Sequence, residues 1–444
     1  MNQSSQDLLQ QQYDSLPYPK IPLEKSPAKD YDSLFVNNLT TSYYLCHQRV
    51  IDTKDKVILD VGCGSGWTTL NLAFANPQAK IIAIDLSQNS LEVAKKRLEF
   101  HEFNDVEFHQ IRIENIAELN YQYDYISCKD VLCLLDEPLE TLKTFKSVLK
   151  SDGIIHTDFH NYYQRFVYYT SQELFRCLGL LEENPDDFEI NVVVETIKNL
   201  KPNVLLKQKV GGLFNDENLD IKSDKVRQAI LMNHLLQNDK GYTIPKVFEM
   251  LRESKLKFFS MVNWRQWEIR DLFQDNSLPT VWEFALENAS EEEKLHFYEL
   301  LHPCHRIIDF WCNHDEISSS FQPPSTWEEN HWQKVKIYLH PQLKLPEVKQ
   351  DLLMAIKQQN PWEVSKFIKL PTTIPIYLSA GLAAVLLILW EKPAILQELV
   401  SYSLKIQPIN LVTGEEKNYS EAEKEIIDLV IKLETFLYLL VEKI

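Results

Sequence analysis

Glycine is scarce in this chain, with ten in 444 residues. That scarcity excludes collagen-like and glycine-rich flexible sequences. It also makes any cluster informative, because glycine is then kept for positions that need a positive φ or a close approach. Positive charge is short as well: 46 Lys and Arg stand against 64 Asp and Glu, for a formal charge of −18. No basic run interrupts that balance, which argues against a protein built to grip nucleic-acid phosphates or an anionic membrane. The start, MNQSSQDLLQQQYDSLPYPK, lacks the basic residues and apolar stretch of an export signal. Seven cysteines, an odd number with scattered spacing, give no disulfide framework, so reduced thiols in a cytoplasmic protein are expected. From Leu370 to Trp390 the chain carries no charge, but Pro371 and Pro375 leave a helix shorter than the ~20 residues a bilayer span needs. A buried or subunit-contact helix is expected there, with a membrane-associated helix as the alternative. There is no internal repeat and no low-complexity tract.

What remains is ordinary globular composition, 44% hydrophobic and 25% charged, in a chain long enough for two or three packed units. Short apolar runs alternate with helical patterns near the N-terminus. Lys56 to Val61 reads as a buried strand, Trp67 to Ala75 as a helix, and Lys80 to Asp85 as a second strand. A helix capped by Ser87 follows. Val106 to Ile113, Tyr123 to Ser127 and the residues after Gly153 read as further strands, with a helix over Leu139 to Leu149. This alternation predicts an α/β, doubly wound Rossmann-like core over 36–165, preceded by a segment over 1–35. Helical periodicity then dominates, giving mostly α-helical domains expected over 166–320 and 321–444. Predicted helices include Phe188 to Leu200, Lys225 to Leu236, Ile244 to Leu251 and Glu291 to Leu301. A C-terminal helix is predicted over Ser420 to Glu442, with Ser420 and Glu423 as a capping box.

Three of the ten glycines, Gly62, Gly64 and Gly66, fall in VILDVGCGSGW (57–67). A strand ends, the backbone turns sharply, and a helix begins, so free N–H groups and bare Cα atoms face one place. Asp60 precedes the first glycine by two residues, and Asp85 ends the next strand, where a carboxylate can accept ribose hydroxyls. This combination resembles the class I methyltransferases that use S-adenosylmethionine (SAM), over about residues 55 to 160. The resemblance implies that Gly62, Cys63, Gly64 and Gly66 border the cofactor and that Asp60 helps hold its amino-acid end. Asp85 and Leu86 would meet the ribose, and Cys128 belongs to the segment 123–138 that approaches the methionine portion and the acceptor. Many relatives carry an acid against the adenine amine; here the aligned residue is Arg112. Either Arg112 stacks on adenine between Ile111 and Ile113, or Glu114 takes the amine. YDSLPYP (13–19) and NWRQWEIRDLF (263–273) also resemble bacterial methyltransferases with an appended "methyltransferase regulatory" domain, a family that includes protein-lysine methyltransferases.

Methyl transfer from a sulfonium needs alignment more than a reactive side chain, and neither a metal nor a nucleophilic residue is expected. A base helps where the acceptor must lose a proton. IIHTDFHNYYQR (154–165) offers His160, with Asp130 from the neighbouring strand exit and Tyr163; the alternative for His160 is a hydrogen-bonded structural role. Tyr162 and Arg165 either line an acceptor pocket or pack against the helical region. Tyr13 and Tyr18 either close over the cofactor, where an aromatic face favours a cation, or simply pack. Trp264 and Trp267 either wall a pocket for an apolar acceptor or belong to the core. HPCHRIIDFWCNHD (302–315) matches no usual zinc spacing and reads as a helix whose face holds Cys304, Ile307, Ile308, Trp311 and Cys312. The expected function is methyl transfer to nitrogen or oxygen of a small, largely apolar specialised metabolite, with S-adenosylhomocysteine as the other product. A protein lysine is the alternative acceptor, and a SAM-binding sensor without turnover is the alternative of a different class. No nucleic-acid partner is expected; a homodimer through the 374–390 or 420–442 helices is.

Overall fold

The computed structural model describes residues 5–216, 219–316, 321–410 and 413–444. Its centre is a seven-stranded sheet: β1 (Val57–Val61), β2 (Lys80–Asp85), β3 (Glu107–Gln110), β4 (Tyr123–Cys128), β5 (Leu149–His160), β6 (Leu256–Met261) and β7 (Ile307–His314). The order is β3-β2-β1-β4-β5-β7-β6. The first five strands run parallel, and β7 and β6 close the sheet antiparallel. β4 is buried throughout, as a strand covered on both faces must be. The cover comes from α1 (Ser5–Ser15), α2 (Tyr31–Asn37), α3 (Leu39–His47), α4 (Trp67–Ala75), α5 (Gln88–Phe100), α6 (Pro138–Val148) and the later helix Ile244–Glu253, while α7 (Tyr162–Cys177) packs in a separate helical core. Ser87 caps α5 as expected, accepting from the Ser90 amide. The chain order reverses between β1 and β4, the place where such sheets open a crevice at their carboxyl ends.

Several expectations need correction. The third strand is only Glu107–Gln110, and Ile113–Leu119 forms a 3-10 turn. Residues 302–315 are not a helix: Ile307–His314 is β7, hydrogen-bonded to β5 on one side and β6 on the other. Ile308, Phe310 and Cys312 enter one core while Trp311 enters another, so burial on both faces erased the alternation that marks a strand. At the C-terminus the helix runs Tyr419–Glu434 with Asn418 and Glu421, rather than Ser420 and Glu423, as its capping box. Leu439–Lys443 is then a strand, paired with Val335–Leu339 in a three-stranded sheet that Ala394–Ile395 completes. The uncharged segment folds as the helix Ala380–Glu391, with Ala383, Val385, Leu386 and Leu389 buried in the chain's own core. Among the described residues no helix is long and apolar enough to cross a membrane.

The C-terminal unit joins the core through one buried contact with a pH signature. Tyr44 of α3 donates to Glu434 Oε1 at 2.8 Å and accepts from the Val441 amide at 3.0 Å. Burial raises the Glu434 carboxyl to about 7, against the opposing effect of the Tyr44 hydrogen bond. A folded-state pKa above the unfolded one means that its stabilising contribution is complete below about pH 4 and is lost as pH rises through 7. Glu434→Gln keeps an acceptor for Tyr44 and removes that loss. In urea melts at pH 5 and pH 8, the variant is expected to gain on the wild type by on the order of 2 kcal/mol at the higher pH.

Candidate functional site

The glycine loop leaves β1 with φ of +66° at Gly62, +50° at Gly64 and +81° at Gly66. A Cβ at Gly64 would stand 2.2 Å from the carbonyl oxygen of Tyr18, and one at Gly66 2.7 Å from Ala94 Cα in α5. Gly64 therefore lets the N-terminal segment lie on the loop, and Gly66 lets α4 start against α5. Asp85, at the end of β2, accepts from the amides of Gly64 and Ser87, each at 2.8 Å. Burial raises its pKa, and those two amides oppose the rise. One carboxylate thus fixes the shape of the loop and stands in the crevice.

Residues 16–23 form a strap over this loop. The Ser65 amide and hydroxyl donate to the carbonyls of Tyr18 and Pro19, at 2.8 and 2.6 Å. Arg97, buried in α5, donates from Nε to Ser65 O at 2.9 Å, from Nη1 to Pro22 O at 2.9 Å and from Nη2 to Ile21 O at 2.6 Å. Ahead of the strap, α1 is anchored where Gln10 Nε2 donates to Leu86 O and Asn89 Nδ2 to Asp14 O. Tyr13 and Tyr18 meet edge to face with centroids 6.5 Å apart. A lysine carries its three donors on one nitrogen and so cannot span the three carbonyls that the planar guanidinium reaches from Nε, Nη1 and Nη2. Arg97→Lys is accordingly expected to speed limited proteolysis within residues 16–25 and to weaken SAM binding about tenfold, as loss of one or two such bonds implies. Equilibrium dialysis and a protease time course check both.

Strap and sheet enclose a cleft of about 420 Å³. Its outer end carries Gly62, Cys63, Gly64, Asp85, Leu86, Ile111 and Ile113; its inner end carries Lys129, Asp130, Asp158, Ile307 and Asp309, with Tyr13 and Tyr18 as roof. Asp130 has a φ of +55°, unusual for a residue with a side chain. Its amide donates to Asp158 Oδ1 at 2.9 Å, and its own Oδ1 receives Arg306 Nη2 at 2.7 Å. Burial would raise the Asp130 pKa, but His160 and Arg306 outweigh it and hold the carboxyl well below the usual range. Asp158 is different: burial, then the nearby charges of Asp130 and Asp309, push its pKa well up. Lys129 Nζ is held by Asn37 Oδ1 at 2.9 Å.

His160 lies behind Asp130. Its Nδ1 meets Asp239 Oδ1 at 2.6 Å, and its Nε2 faces Asp130 Oδ1 at 3.3 Å and Arg306 Nη1 at 3.1 Å. Burial disfavours its charge, yet Cys133, Asp130 and Asp239 outweigh burial and raise its pKa well above the ordinary value. Both ring nitrogens are thus engaged, Nδ1 by Asp239 and Nε2 by Asp130 and Arg306. Ligand-type atoms of Cys133, His160 and Asp239 fall within 4.8 Å of one another. The Asp239 oxygens are already taken by His160 on one side and by Arg165 and Gln172 on the other, each of these last two at 2.8 to 2.9 Å, so the cluster is a hydrogen-bonded network.

Other proposed site residues stand outside the cleft. Arg112 is exposed, because Ile111 and Ile113 face inward and the residue between them must face out. Asp60 is buried behind the loop, accepting from Thr69 Oγ1 at 2.6 Å, with its pKa raised by burial to about 7. Cys128 is in the core and Gly66 meets α5. Tyr162 and Tyr163 lie on the outer face of α7, 39% and 37% exposed, while Arg165 is buried and paired with Asp239. Trp264 and Trp267 line a separate hollow of about 680 Å³. Sequence reading missed Lys129, Asp158, Arg306 and Asp309. An aspartate inside an otherwise apolar strand was the available signal for Asp158 and Asp309.

A family model described as a methyltransferase domain matches residues 52–218. The chain is 40% identical over 109 residues to a malonyl-[acyl-carrier protein] O-methyltransferase of Halalkalibacterium halodurans, covering 23% of this chain and 40% of that one. It is 28% identical over 121 residues to a ubiquinone biosynthesis O-methyltransferase of Neisseria meningitidis serogroup C, covering 27% and 49%. The chain therefore spans less than half the length of these curated relatives. Among solved structures, PKMT2 from Rickettsia typhi in complex with AdoHcy aligns with a TM-score of 0.57 at 17% identity, covering 92% of this chain and 76% of that one. That likeness is one of fold.

Proposed function

We propose that this chain, which belongs to the class I SAM-dependent methyltransferases, places the methyl group on the nitrogen of an amine. The residues present fit the cofactor: Gly62, Cys63 and Gly64 line one end of the cleft, and Asp85 stands there with its carboxylate held by the Gly64 amide. When bound there, SAM supplies an electrophilic methyl that an acceptor displaces in line from the sulfonium. Asp85 holds the ribose end, Gly62 and Gly64 admit the backbone contact, and the Tyr13–Tyr18 roof excludes water and offers an aromatic face to a cation.

The observation that carries the amine reading is the inner end of the cleft, where Asp130, Asp158 and Asp309 converge. Each of these carboxyls already has a protein partner on one oxygen, and an ammonium can donate to the remaining oxygens, which an apolar acceptor cannot. The apolar walls expected from Trp264 and Trp267 belong to another hollow. Both a small amine and a lysine side chain meet this chemistry. Transfer of radiolabelled methyl from SAM into a lysate of the native host tests it, followed by separation of small molecules from protein and by mild alkali. Label that survives alkali on nitrogen is expected, and the fraction holding it distinguishes metabolite from lysine. Label released as methanol would mark a methyl ester and overturn the reading. Measurable SAM binding with no label in either fraction would overturn turnover itself.

A further inference from the structure

Asp158 and Asp309 are direct partners in the antiparallel β5–β7 ladder, so their side chains leave the same face, and both line the cleft. Behind Asp309 runs a buried chain of hydrogen bonds. Trp311 Nε1–H can only donate, and it donates to the Tyr125 hydroxyl at 3.3 Å. The hydroxyl proton is then free to be given to His156 Nδ1 at 2.8 Å. His156 in turn presents Nε2–H to Asp309 Oδ1 at 2.8 Å. The other tautomer would aim a lone pair at the carboxylate. Trp311, Tyr125 and His156 are all fully buried, while the Asp309 side chain is 23% exposed towards the cleft.

We propose that Trp311, Tyr125 and His156 are positioning residues that present the His156 Nε2–H to Asp309 and aim its carboxylate into the cleft. Of the Asp158–Asp309 pair, Asp309 is then the member that takes the proton from the acceptor ammonium. This rests on the amine reading above. The N–H bond of R–NH₃⁺ breaks, its proton joins the Asp309 carboxylate, and the neutral amine keeps the electron pair that would form the N–CH₃ bond as the S–CH₃ bond breaks and its electrons leave on the sulfur of S-adenosylhomocysteine. Asp309 returns the proton to water after product leaves. Burial lowers the His156 pKa to about 4, so the ring is neutral and has a single proton to offer. The charged or titratable groups around this pair are Asp130 from the exit of β4, His160 from β5, Lys129 near His156, Arg306 just before β7, Tyr18 from the strap and Asp60 beside Tyr125.

Two measurements test it. Imidazole ¹⁵N spectra of the full chain are expected to show His156 as the neutral Nε2–H tautomer from pH 8 down to pH 5. A charged ring at pH 6, or the Nδ1–H tautomer, overturns the proposal. The second compares His156→Gln, whose amide can still donate to Asp309, with His156→Leu, which cannot. The acceptor is the host-lysate fraction that takes label with the wild-type protein, and SAM binding is measured alongside. His156→Leu is expected to lose about tenfold to a hundredfold in rate, a part of what a positioned base contributes, and to shift the acid limb of the pH profile upward by about one unit. SAM affinity is expected to stay within about threefold, and His156→Gln to keep most of the rate. Equal losses in both variants, or an unmoved acid limb, would reduce His156 to packing and overturn the proposal. Base-labile label from the wild type would instead sink the amine reading, and with it the proton-accepting role of Asp309, while the spectra still report the tautomer.

Discussion

Asp85→Ala is expected to bind SAM at least about a hundredfold more weakly than the wild-type protein, with transfer activity falling in step. The size follows from what one carboxylate does. It accepts the Gly64 and Ser87 amides at 2.8 Å each and so fixes the glycine loop, and it faces the cleft where ribose hydroxyls are expected. Hydrogen bonds to a charged group are worth roughly 1.5–3 kcal/mol each, and two lost together give the stated factor. Asp85→Asn retains one acceptor oxygen and is expected to lose about tenfold. Titration calorimetry with SAM checks both. An Asp85→Ala protein that binds SAM within about threefold of the wild type would remove the cofactor end of the cleft from the account.

Gly66→Val is the second large effect, and it acts on the fold before it acts on the ligand. The residue holds a φ of +81°, and its Cβ would meet Ala94 of α5 at 2.7 Å from Cα and 2.8 Å from Cβ. Neither contact is the end of a flexible side chain, so α4 or α5 must move. Left-handed strain and overpacking each cost about 1–3 kcal/mol, so destabilisation on the order of 3 kcal/mol is expected, with SAM binding lost because the loop moves with α4. Gly212, whose added Cβ meets nothing within 4 Å, is the control: Gly212→Ala in the helix Leu205–Phe214 is expected to leave both properties unchanged or slightly improved. Thermal melts with and without SAM separate the two substitutions.

The parts of this site that could be read from sequence are those whose partners are close in the chain. Gly62, Gly64, Gly66 and Asp85 announce themselves through the order strand, tight turn, helix, strand, and the structure places Asp85 on the Gly64 amide. Tyr13 and Tyr18, singled out in the sequence, are among the residues that line the cleft. The latch beneath them was not legible. Arg97 donates to main-chain carbonyls, which carry no residue identity that a pattern could show. The aspartate pair was hidden for a different reason: Asp158 meets Asp309 only because β7 returns about 150 residues later to pair with β5. Burial on both faces gave β7 a continuous apolar run that fits a helical face equally well. Without β7 as a strand, the Asp309–His156–Tyr125 chain has no signal in the sequence, whereas His160 lies beside Asp239 and Asp130.

A structure of the protein bound to S-adenosylhomocysteine tests the central claim most directly. The account predicts the ribose hydroxyls on the Asp85 carboxylate, with the sulfur turned towards the end lined by Asp130, Asp158 and Asp309. An acceptor nitrogen lodged among those carboxylates would then stand within the roughly 3–3.5 Å of the methyl position that in-line transfer requires. A product molecule whose ribose lies away from Asp85, or whose sulfur points out of the cleft towards solvent, would contradict it.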